Sequence, residues 1–468
     1  MINKKLKLLI FSLSLLTISC DQVSQSITKI GSAPKEFTSS STVKEIQEQL
    51  RKLPKNDIWW TKSGEDMAWN NTNLHQIFPT VNVYRNGSVS SLEKDLMTEI
   101  NNTKIDTPFG RMTFETFIHS DESTVMGIVI AHKGKIIFEQ YPRMQEHEKP
   151  IYWSVSKVFP ATILRILEER DQVDVSKPID FYIKELSDSS YSGIKIRNIL
   201  DMASGLDCSD NYETFESCYY LYSMSIGDGF RTDAAEDNPY DFTIKTKIKK
   251  NAKQGEIFSY SGLDTFVLSW LVEEITDMPF QDALSKEIWQ HIGAESDASY
   301  IAPRYGIAIT HGGFLAKMRD MIRFGLLFTP SYQTVSNEKL ISDSHIDLIL
   351  NSGNPKLIQN LYSSFQITTE SVDDGYLDDL LENDTSVSSG SNYSDIPKGL
   401  KHNIYQWDAV YENDDFFKGG WAGQGLLINP TRDLVAVWTG YKKNDQHDAR
   451  EMRGIVRELL DYVFNENR

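Results

Sequence analysis

Cysteine and histidine are scarce in this sequence, which has three cysteines and nine histidines among 468 residues. No Cys-x-x-Cys pair occurs, and the histidines lack the spacing that is typical of zinc sites. We therefore expect no metal site and no cofactor. The two internal cysteines, Cys208 and Cys218, either form a disulfide in an oxidising compartment or remain as two thiols.

Positive charge is also in short supply. The chain has 48 lysines and arginines against 66 aspartates and glutamates, for a formal net charge of -18. A protein with this excess repels the phosphate backbone of DNA or RNA instead of neutralising it. We therefore expect no nucleic-acid partner, and the sequence leaves the oligomeric state open.

Long apolar runs are rare, and the clearest one, at residues 8–18, is too short to span a bilayer. Lysines at positions 4, 5 and 7 precede it, so residues 1–20 have the composition of a signal peptide. Residues 16–20 end in Cys20 and resemble the lipobox of bacterial lipoproteins. We expect a lipid-anchored protein of the bacterial cell envelope, periplasmic or surface-exposed, with a plain secretory signal and an incidental cysteine as the alternative.

The remaining chain divides by composition. Residues 21–55 are polar and rich in serine and threonine, as expected of a tether. Residues 56–468 are predicted to form the folded domain, with a helical subdomain at about 155–300. Residues 368–397 are rich in Asp, Ser, Gly and Asn, which predicts a surface insertion.

The hydrophobic pattern of the domain predicts strands near both ends and helices between them. Residues 123–141 contain two β-branched runs around a tight turn, which indicates a β-hairpin. Later strands are expected at 425–429 and 434–439. Helices are expected at 194–202, 265–275, 314–328 and 448–464, and directly after Val158. This order predicts an α+β fold in which a helical subdomain interrupts one sheet.

The segment 151–160, IYWSVSKVFP, contains two serines and a lysine in an apolar run. A serine hydroxyl attacks a carbonyl only when a base removes its proton. Lys157 stands three residues after Ser154, on the same face of a helix, so the spacing allows a serine–lysine pair. Alone, this spacing indicates a helix N-cap with a solvated lysine more readily than a catalytic pair. Ser156 is given no catalytic role, and Pro160 is compatible with a helix only in its first turn.

Together with IRNILDMASGL at residues 196–206, this segment resembles the class C-like branch of the serine β-lactamase and penicillin-binding-protein superfamily. The nearest subgroup is that of the 6-aminohexanoate-dimer hydrolases and esterases. The resemblance extends over about residues 81–460. It implies a β-lactamase/transpeptidase-like fold, with an antiparallel sheet flanked by helices, and an acyl-enzyme formed on Ser154.

The superfamily has a second motif, Tyr-x-Asn, whose tyrosine transfers protons in class C-like members. Tyr260, Ser261 and Gly262 match its position here, so the resemblance assigns proton transfer to Tyr260. A free phenol has a pKa of about 10, and Lys157 is expected to supply the nearby cation that it needs. Gly262 stands where asparagine is usual, which removes an amide that would help to orient the lysine.

A third motif, Lys-Thr-Gly or a variant, lies on an edge strand beside the site in this superfamily. Lys418, Gly419 and Gly420 match it, and the glycines let a substrate approach the strand backbone. Lys418 is expected either to bind a substrate carboxylate or to tune Tyr260. A rival register places residues 421–423 in this motif.

Two further assignments follow from the resemblance. In the first register of the third motif, the backbone amides of Ser154 and Trp421 form the oxyanion hole. His311, in the stretch THGG before a predicted helix, also matches these enzymes, and it is expected to have a structural role because the family does not need a catalytic histidine.

The predicted function is that of a serine hydrolase of carboxylesterase or amidase type, with Lys157 and Tyr260 transferring protons for Ser154. The expected substrate is a small molecule or a short peptide. One alternative is a D,D-peptidase or β-lactamase, acting on peptidoglycan-type or β-lactam substrates. The other is a catalytically silent binding lipoprotein that retains the cleft.

Overall fold

The computed structural model describes residues 63–211, 214–229, 232–367, 399–444 and 452–464. The predicted signal peptide with Cys20, the tether at 21–55 and the insertion at 368–397 lie outside these ranges. Of the helices that are described, none is both long enough and apolar enough to cross a membrane. The division of the chain into segments stays a prediction.

Within the described ranges, the strands form one large sheet and two small ones. They are β1 (Thr80–Val83), β2 (Lys104–Thr107), β3 (Gly110–Thr113), β4 (Val125–His132), β5 (Lys135–Gln140), β6 (Ala298–Ile301), β7 (Phe314–Leu315), β8 (Leu400–Ile404), β9 (Trp407–Tyr411), β10 (Phe416–Gly420), β11 (Gln424–Asn429) and β12 (Leu434–Gly440). The large sheet has seven strands in the order β5-β4-β12-β11-β10-β9-β8, with antiparallel neighbours throughout. It therefore unites the early hairpin with the C-terminal strands.

Helices cover the sheet and fill the long connection between β5 and β6. They are α1 (Glu65–Ile77), α2 (Thr98–Asn102), α3 (Phe114–His119), α4 (Val158–Glu169), α5 (Ile196–Leu200), α6 (Cys218–Ile226), α7 (Pro239–Lys245), α8 (Gly262–Thr276), α9 (Phe280–Glu287), α10 (Met318–Leu326), α11 (Asp343–Asn351), α12 (Pro355–Ile367) and α13 (Met452–Phe464).

Strand β4 shows why the central sheet has apolar runs where a half-exposed strand would alternate. Val129 and Ala131 face the main core, which includes residues of α4 and α10. Ile128 and Ile130 face a second core formed with α3 and α13. Successive residues of a strand point to opposite faces of the sheet. Because both faces are covered here, the consecutive residues 128–131 of β4 are all apolar. The sheet is thus buried between helical layers, and the predicted α+β fold is confirmed.

Most of the predicted elements are present with shifted ends. The hairpin is formed by β4 and β5, the late strands by β11 and β12, and the helix after Val158 by α4. The predicted helix at 314–328 is wrong at its start, because Phe314 and Leu315 form β7 and α10 follows. Phe314 pairs with Tyr300 of β6, and this cross-strand pairing overrides the helical spacing of its apolar residues.

The predicted edge position of the strand that carries Lys418 is also wrong. Strands β9 and β8 lie outside β10, in a stretch for which the sequence pattern indicated no strand. However, β9 pairs with β10 only at Phe416 and Phe417, whereas residues 418–420 pair with β11 alone. The motif therefore lies at a local edge inside a longer sheet.

The first turn of α8 contains a buried acid whose protonation should affect stability. Asp264 is buried, and its Oδ1 accepts a hydrogen bond from the Tyr191 hydroxyl at 2.7 Å. Burial raises the pKa of Asp264 from 3.8 to about 7. Between these two pH values, the native state holds a proton that the unfolded chain has released. The stabilisation is therefore complete below pH 3.8 and is lost as the pH rises through about 7.

We expect Asp264→Asn to remove this pH dependence. The wild type should lose about 2 kcal/mol of unfolding free energy between pH 5 and pH 7 that the variant retains. Urea unfolding of both proteins at each pH measures the difference. Asp277→Asn, at an exposed residue that caps the other end of α8, serves as the control. Equal slopes for wild type and Asp264→Asn would contradict the prediction.

Candidate active site

Ser154 lies in a 3₁₀ turn, Trp153–Lys157, that leads directly into α4. The chain enters this turn through Trp153 at φ 43°, a conformation that is rare for a bulky side chain. The N–H of Tyr152 donates to the carbonyl of Phe314 at 2.9 Å. The turn is thus tied to β7 and presents the serine at the start of a buried helix.

The two serines of the turn have different surroundings. Ser156 is fully buried, and its hydroxyl donates to the carbonyl of Trp153 at 2.7 Å, which stabilises the turn. Ser154 is partly exposed and contacts the amine of Lys157. Pro160 is the third residue of α4, so its missing N–H falls in the first turn, where no helical partner is needed.

Lys157 is fully buried and its amine has three close oxygen partners. Nζ lies 3.1 Å from Ser154 Oγ, 2.9 Å from the carbonyl oxygen of His311 and 3.4 Å from Asp210 Oδ2. Burial lowers the pKa of Lys157 below its ordinary value, against the opposing effect of Asp210 and Asp408. A lysine with a lowered pKa beside a serine hydroxyl is suited to remove that proton.

The ring of Tyr260 lies against two lysines. Lys157 Nζ is 4.7 Å from the ring centroid, and Lys418 Nζ is 4.6 Å from it. Both distances are in the range of cation–π contacts. The structure therefore brings one residue of each of the three predicted motifs into a single cluster.

Lys418 is fully buried on β10 and is paired with Asp408 of β9. Lys418 Nζ lies 2.5 Å from Asp408 Oδ1, while Asp408 Oδ2 accepts a hydrogen bond from the Gly419 N–H at 2.8 Å. Burial lowers the pKa of Lys418 to about 8. The rival register of the third motif, residues 421–423, falls in the turn after β10, where Ala422 and Gly423 have positive φ. Because the motif is expected on a strand, the structure supports the register that begins at Lys418.

Gly420 allows β10 to pass directly over the turn that contains Ser154. A Cβ at this position would lie 2.6 Å from the carbonyl oxygen of Tyr152 and 3.2 Å from Cβ of Trp153. Trp421 follows immediately, and its carbonyl accepts a hydrogen bond from the Gln424 side chain at 2.7 Å. The backbone at Trp421, which is expected to supply one half of the oxyanion hole, thus follows a residue packed against the turn of Ser154, and a hydrogen bond holds it in place.

Steric crowding explains why position 262 is a glycine, where the second motif usually has an asparagine. A Cβ at this position would lie 2.8 Å from Cδ2 of His311 and 2.9 Å from Cε2 of Tyr219. Those contacts are too short for any side chain, so an asparagine would not fit without displacing both rings. The N–H of Gly262 instead donates to Asp210 Oδ1 at 2.6 Å.

His311 is buried, and both of its ring nitrogens have partners. Nδ1 is 3.1 Å from the Tyr222 hydroxyl, and Nε2 is 3.3 Å from Asp228 Oδ2. Burial, reinforced by Lys157, lowers the pKa of His311 well below 6.5, so the ring is neutral. These contacts are consistent with the structural role expected for this residue.

The two internal cysteines, Cys208 and Cys218, lie at bonding distance, with 2.00 Å between their sulfur atoms. The bond connects the loop that contains Asp210 to the first residue of α6. In the described part of the chain, no group of three or more His, Cys, Asp or Glu side chains is arranged to hold a metal ion.

The family model described as Beta-lactamase matches residues 112–461, well over half of the chain. The chain belongs to the β-lactamase family. This confirms the family resemblance drawn from the motifs around Ser154, Tyr260 and Lys418, and it makes the protein a hydrolase of the β-lactamase fold.

Three relatives show how far the similarity extends. A 6-aminohexanoate-dimer hydrolase of Paenarthrobacter ureafaciens is 24% identical over 409 residues, which cover 87% of this chain and 92% of the relative. A Bacillus anthracis structure described as a candidate 6-aminohexanoate-dimer hydrolase is 20% identical, with a TM-score of 0.66, covering 89% of this chain and 99% of that one. A candidate β-lactamase of Bacteroides dorei DSM 17855 is 15% identical, with a TM-score of 0.51 and coverage of 74% and 96%. The two structures share the fold with this β-lactamase-family chain.

Two carboxylates at this β-lactamase-family site, Asp210 and Asp408, were not among the predicted residues. Asp210 lies in a loop without hydrophobic periodicity, and only the unusual Gly262 hinted that Lys157 needs another partner. Asp408 lies on β9, which the sequence pattern did not indicate as a strand. A charged residue in the otherwise apolar run WDAVY was the available signal for a buried ion pair.

We expect the disulfide to stabilise this fold by restricting the unfolded chain. Cys208→Ser combined with Cys218→Ser should lower the free energy of unfolding by about 3 kcal/mol, the value for a loop of this length. Urea unfolding with and without a thiol reductant measures the effect. The reductant should destabilise the wild type by the same amount and leave the double variant unchanged; no response of the wild type would indicate two free thiols.

Proposed function

We propose that this protein is a serine hydrolase that cleaves esters or amides through an acyl-enzyme on Ser154. The observation that supports this most directly is the 3.1 Å contact between the fully buried amine of Lys157 and the partly exposed hydroxyl of Ser154. The membership in the β-lactamase family is consistent with it. A binding protein without catalysis would have no need to keep a fully buried lysine amine in contact with a serine hydroxyl.

Acylation begins when Lys157, acting together with Tyr260, takes the hydroxyl proton of Ser154. The oxygen then attacks the substrate carbonyl carbon, and the carbonyl π electrons move to its oxygen. The backbone N–H groups of Ser154 and Trp421 stabilise that oxyanion. When the intermediate collapses, the bond to the leaving group breaks, and Tyr260 donates the proton that the departing oxygen or nitrogen requires.

Deacylation repeats these steps with water in place of the leaving group. Lys157 and Tyr260 take a proton from water as its oxygen attacks the ester carbonyl of the acyl-enzyme. The collapse of the second intermediate breaks the bond to Ser154 Oγ, which recovers its proton. The net reaction consumes one water molecule and releases a carboxylic acid with an alcohol or an amine.

The pairing of Lys418 favours substrates without a carboxylate next to the scissile bond. Its ammonium is fully buried and lies 2.5 Å from Asp408, so its charge is already neutralised by the protein. A β-lactam or a peptidoglycan-type peptide has a carboxylate on the nitrogen side of its scissile amide bond, where an unpaired cation of the protein would bind it. We therefore propose that Lys418 serves Tyr260, and that neutral esters and amides are the substrate class. The relative from P. ureafaciens is named for the 6-aminohexanoate dimer, and we assign only the wider class here.

We further propose that the enzyme acts in the bacterial cell envelope, attached through lipid on Cys20. The composition of residues 1–20 supports export, and the bond between Cys208 and Cys218 fits an oxidising compartment.

Replacement of the nucleophile tests the mechanism. Ser154→Ala should abolish both the hydrolysis of 4-nitrophenyl butyrate and the labelling of the protein by a fluorophosphonate probe. Tyr260→Phe should remain folded and lose about 100-fold or more in kcat. Ser156→Ala is the matched control and should retain labelling. Labelling that persists in Ser154→Ala would falsify the assignment of the nucleophile.

The role of Lys418 is tested by comparing a neutral ester, 4-nitrophenyl butyrate, with an anionic one, mono-4-nitrophenyl succinate. Lys418→Met is combined with Asp408→Asn, so that no buried carboxylate is left unpaired and Gly419 keeps its acceptor. We expect kcat/KM to fall for both esters, with their ratio unchanged within about twofold. A selective loss of the anionic ester would show instead that Lys418 binds the substrate carboxylate.

A further inference from the structure

The partners of Lys157 determine where its lone pair can point. An ammonium has three N–H donors, and the three oxygens around Nζ, those of Ser154, Asp210 and His311, can accept all of them. A neutral amine has only two N–H donors and one lone pair. The carboxylate of Asp210 and the carbonyl of His311 can only accept, whereas the Ser154 hydroxyl can also donate. The lone pair must then face Ser154.

We propose that Asp210 is the positioning residue that directs the neutral amine of Lys157 toward the Ser154 hydroxyl. This inference rests on the proposed function, because it assumes that Lys157 removes the proton of Ser154. Asp210 does not contact the reacting atoms, and it acts by holding Lys157. It occupies the place next to the lysine that a side chain at position 262 cannot reach, since any Cβ there would collide with His311 and Tyr219.

The backbone around Asp210 is tied to the second motif residue by residue. Asp210 N–H donates to the Tyr260 carbonyl at 3.2 Å, and the Ser261 hydroxyl donates to the Cys208 carbonyl at 2.8 Å. The hydroxyls of Ser209 and Ser259 are 2.8 Å apart. The disulfide from Cys208 connects the same loop to Cys218 at the start of α6. The segment is therefore held in a fixed position relative to Tyr260 and Lys157, as positioning of an amine requires.

The orientation of the Asp210 carboxylate is set by Gly262. The N–H of Gly262 donates to Oδ1 of Asp210 at 2.6 Å, which leaves Oδ2 of Asp210 to face Lys157. Burial raises the pKa of Asp210, and the attraction of Lys157 opposes this shift. An asparagine in the same place would keep its oxygen toward Gly262 and turn its NH₂ group toward Lys157. That NH₂ group is a donor, so it would compete with Ser154 for the lone pair.

Several other groups influence the charge of Lys157 and must stay unchanged in a test. They lie on β9, β10, the loop after α6, the segment before α8 and the turn before β7, and they are Asp408, Lys418, Asp228, Tyr260 and His311. Asp210 is the carboxylate in direct contact with the amine, with its Oδ2 3.4 Å from Nζ. Replacing Asp210 alone therefore isolates its contribution.

The experiment compares wild type, Asp210→Asn, Asp210→Ser and the control Asp207→Asn, an exposed residue of the same loop. The pH dependence of kcat and KM for 4-nitrophenyl butyrate is measured from pH 5 to 9, and thermal unfolding verifies folding. We expect Asp210→Asn to lower kcat about 100-fold with little change in KM. The acidic limb of its pH–kcat profile should move to lower pH, because removing the carboxylate lowers the pKa of the Lys157 amine. Asp207→Asn should match the wild type.

Asp210→Ser removes the charge without placing an amide NH₂ beside Lys157, so it should shift the acidic limb of the pH–kcat profile in the same direction even if Asp210→Asn folds poorly. The inference is overturned if either folded variant keeps kcat within about threefold of wild type, or if the limb does not move. Wild-type protein that neither turns over esters nor reacts with a fluorophosphonate would refute the proposed function itself. An active wild type whose folded Asp210 variants have the same kcat and the same pH profile would refute only the role of Asp210.

Discussion

The burial of the Lys157 amine is the constraint on which the arrangement of this site depends. Moving an ammonium out of water costs several kcal/mol, even after the protein relaxes around it. Here that cost is offset by three oxygens at 2.9 to 3.4 Å, and the remaining penalty lowers the pKa of the lysine. The same balance that makes the group difficult to bury makes it a suitable base for a serine.

Each partner of the amine comes from a different part of the chain, so the site forms only when the sheet and the helical region are assembled. Ser154 comes from the turn before α4, His311 from the turn before β7 and Asp210 from the disulfide loop. Lys418 reaches the same cluster from β10. Each of the two buried lysines has a carboxylate partner, so that neither is left as an unpaired ion beside the tyrosine ring when it is protonated.

The motif residues were assigned through the family resemblance, which could be drawn because each motif is short and contiguous in sequence. Ser154 and Lys157 share a helical face by their spacing, Tyr260 precedes a strongly apolar helix, and Lys418 is followed by two glycines. The apolar periodicity likewise predicted β4, β5, β11, β12 and α4. Strands β8 and β9 were missed because one follows a long polar insertion and the other has a charged residue at its second position.

The sequence was sufficient to predict the family and the α+β fold and to single out Ser154, Lys157, Tyr260 and Lys418 as candidates, because the family resemblance depends on residue types at short, fixed spacings. Which carboxylate pairs with each lysine became evident only from the folded chain. Asp210 and Asp408 are 53 and 10 residues from their partners along the chain, and their meeting depends on loop closure and strand pairing. The structure also decided why position 262 is glycine, since two rings from distant segments occupy the space that a side chain would need.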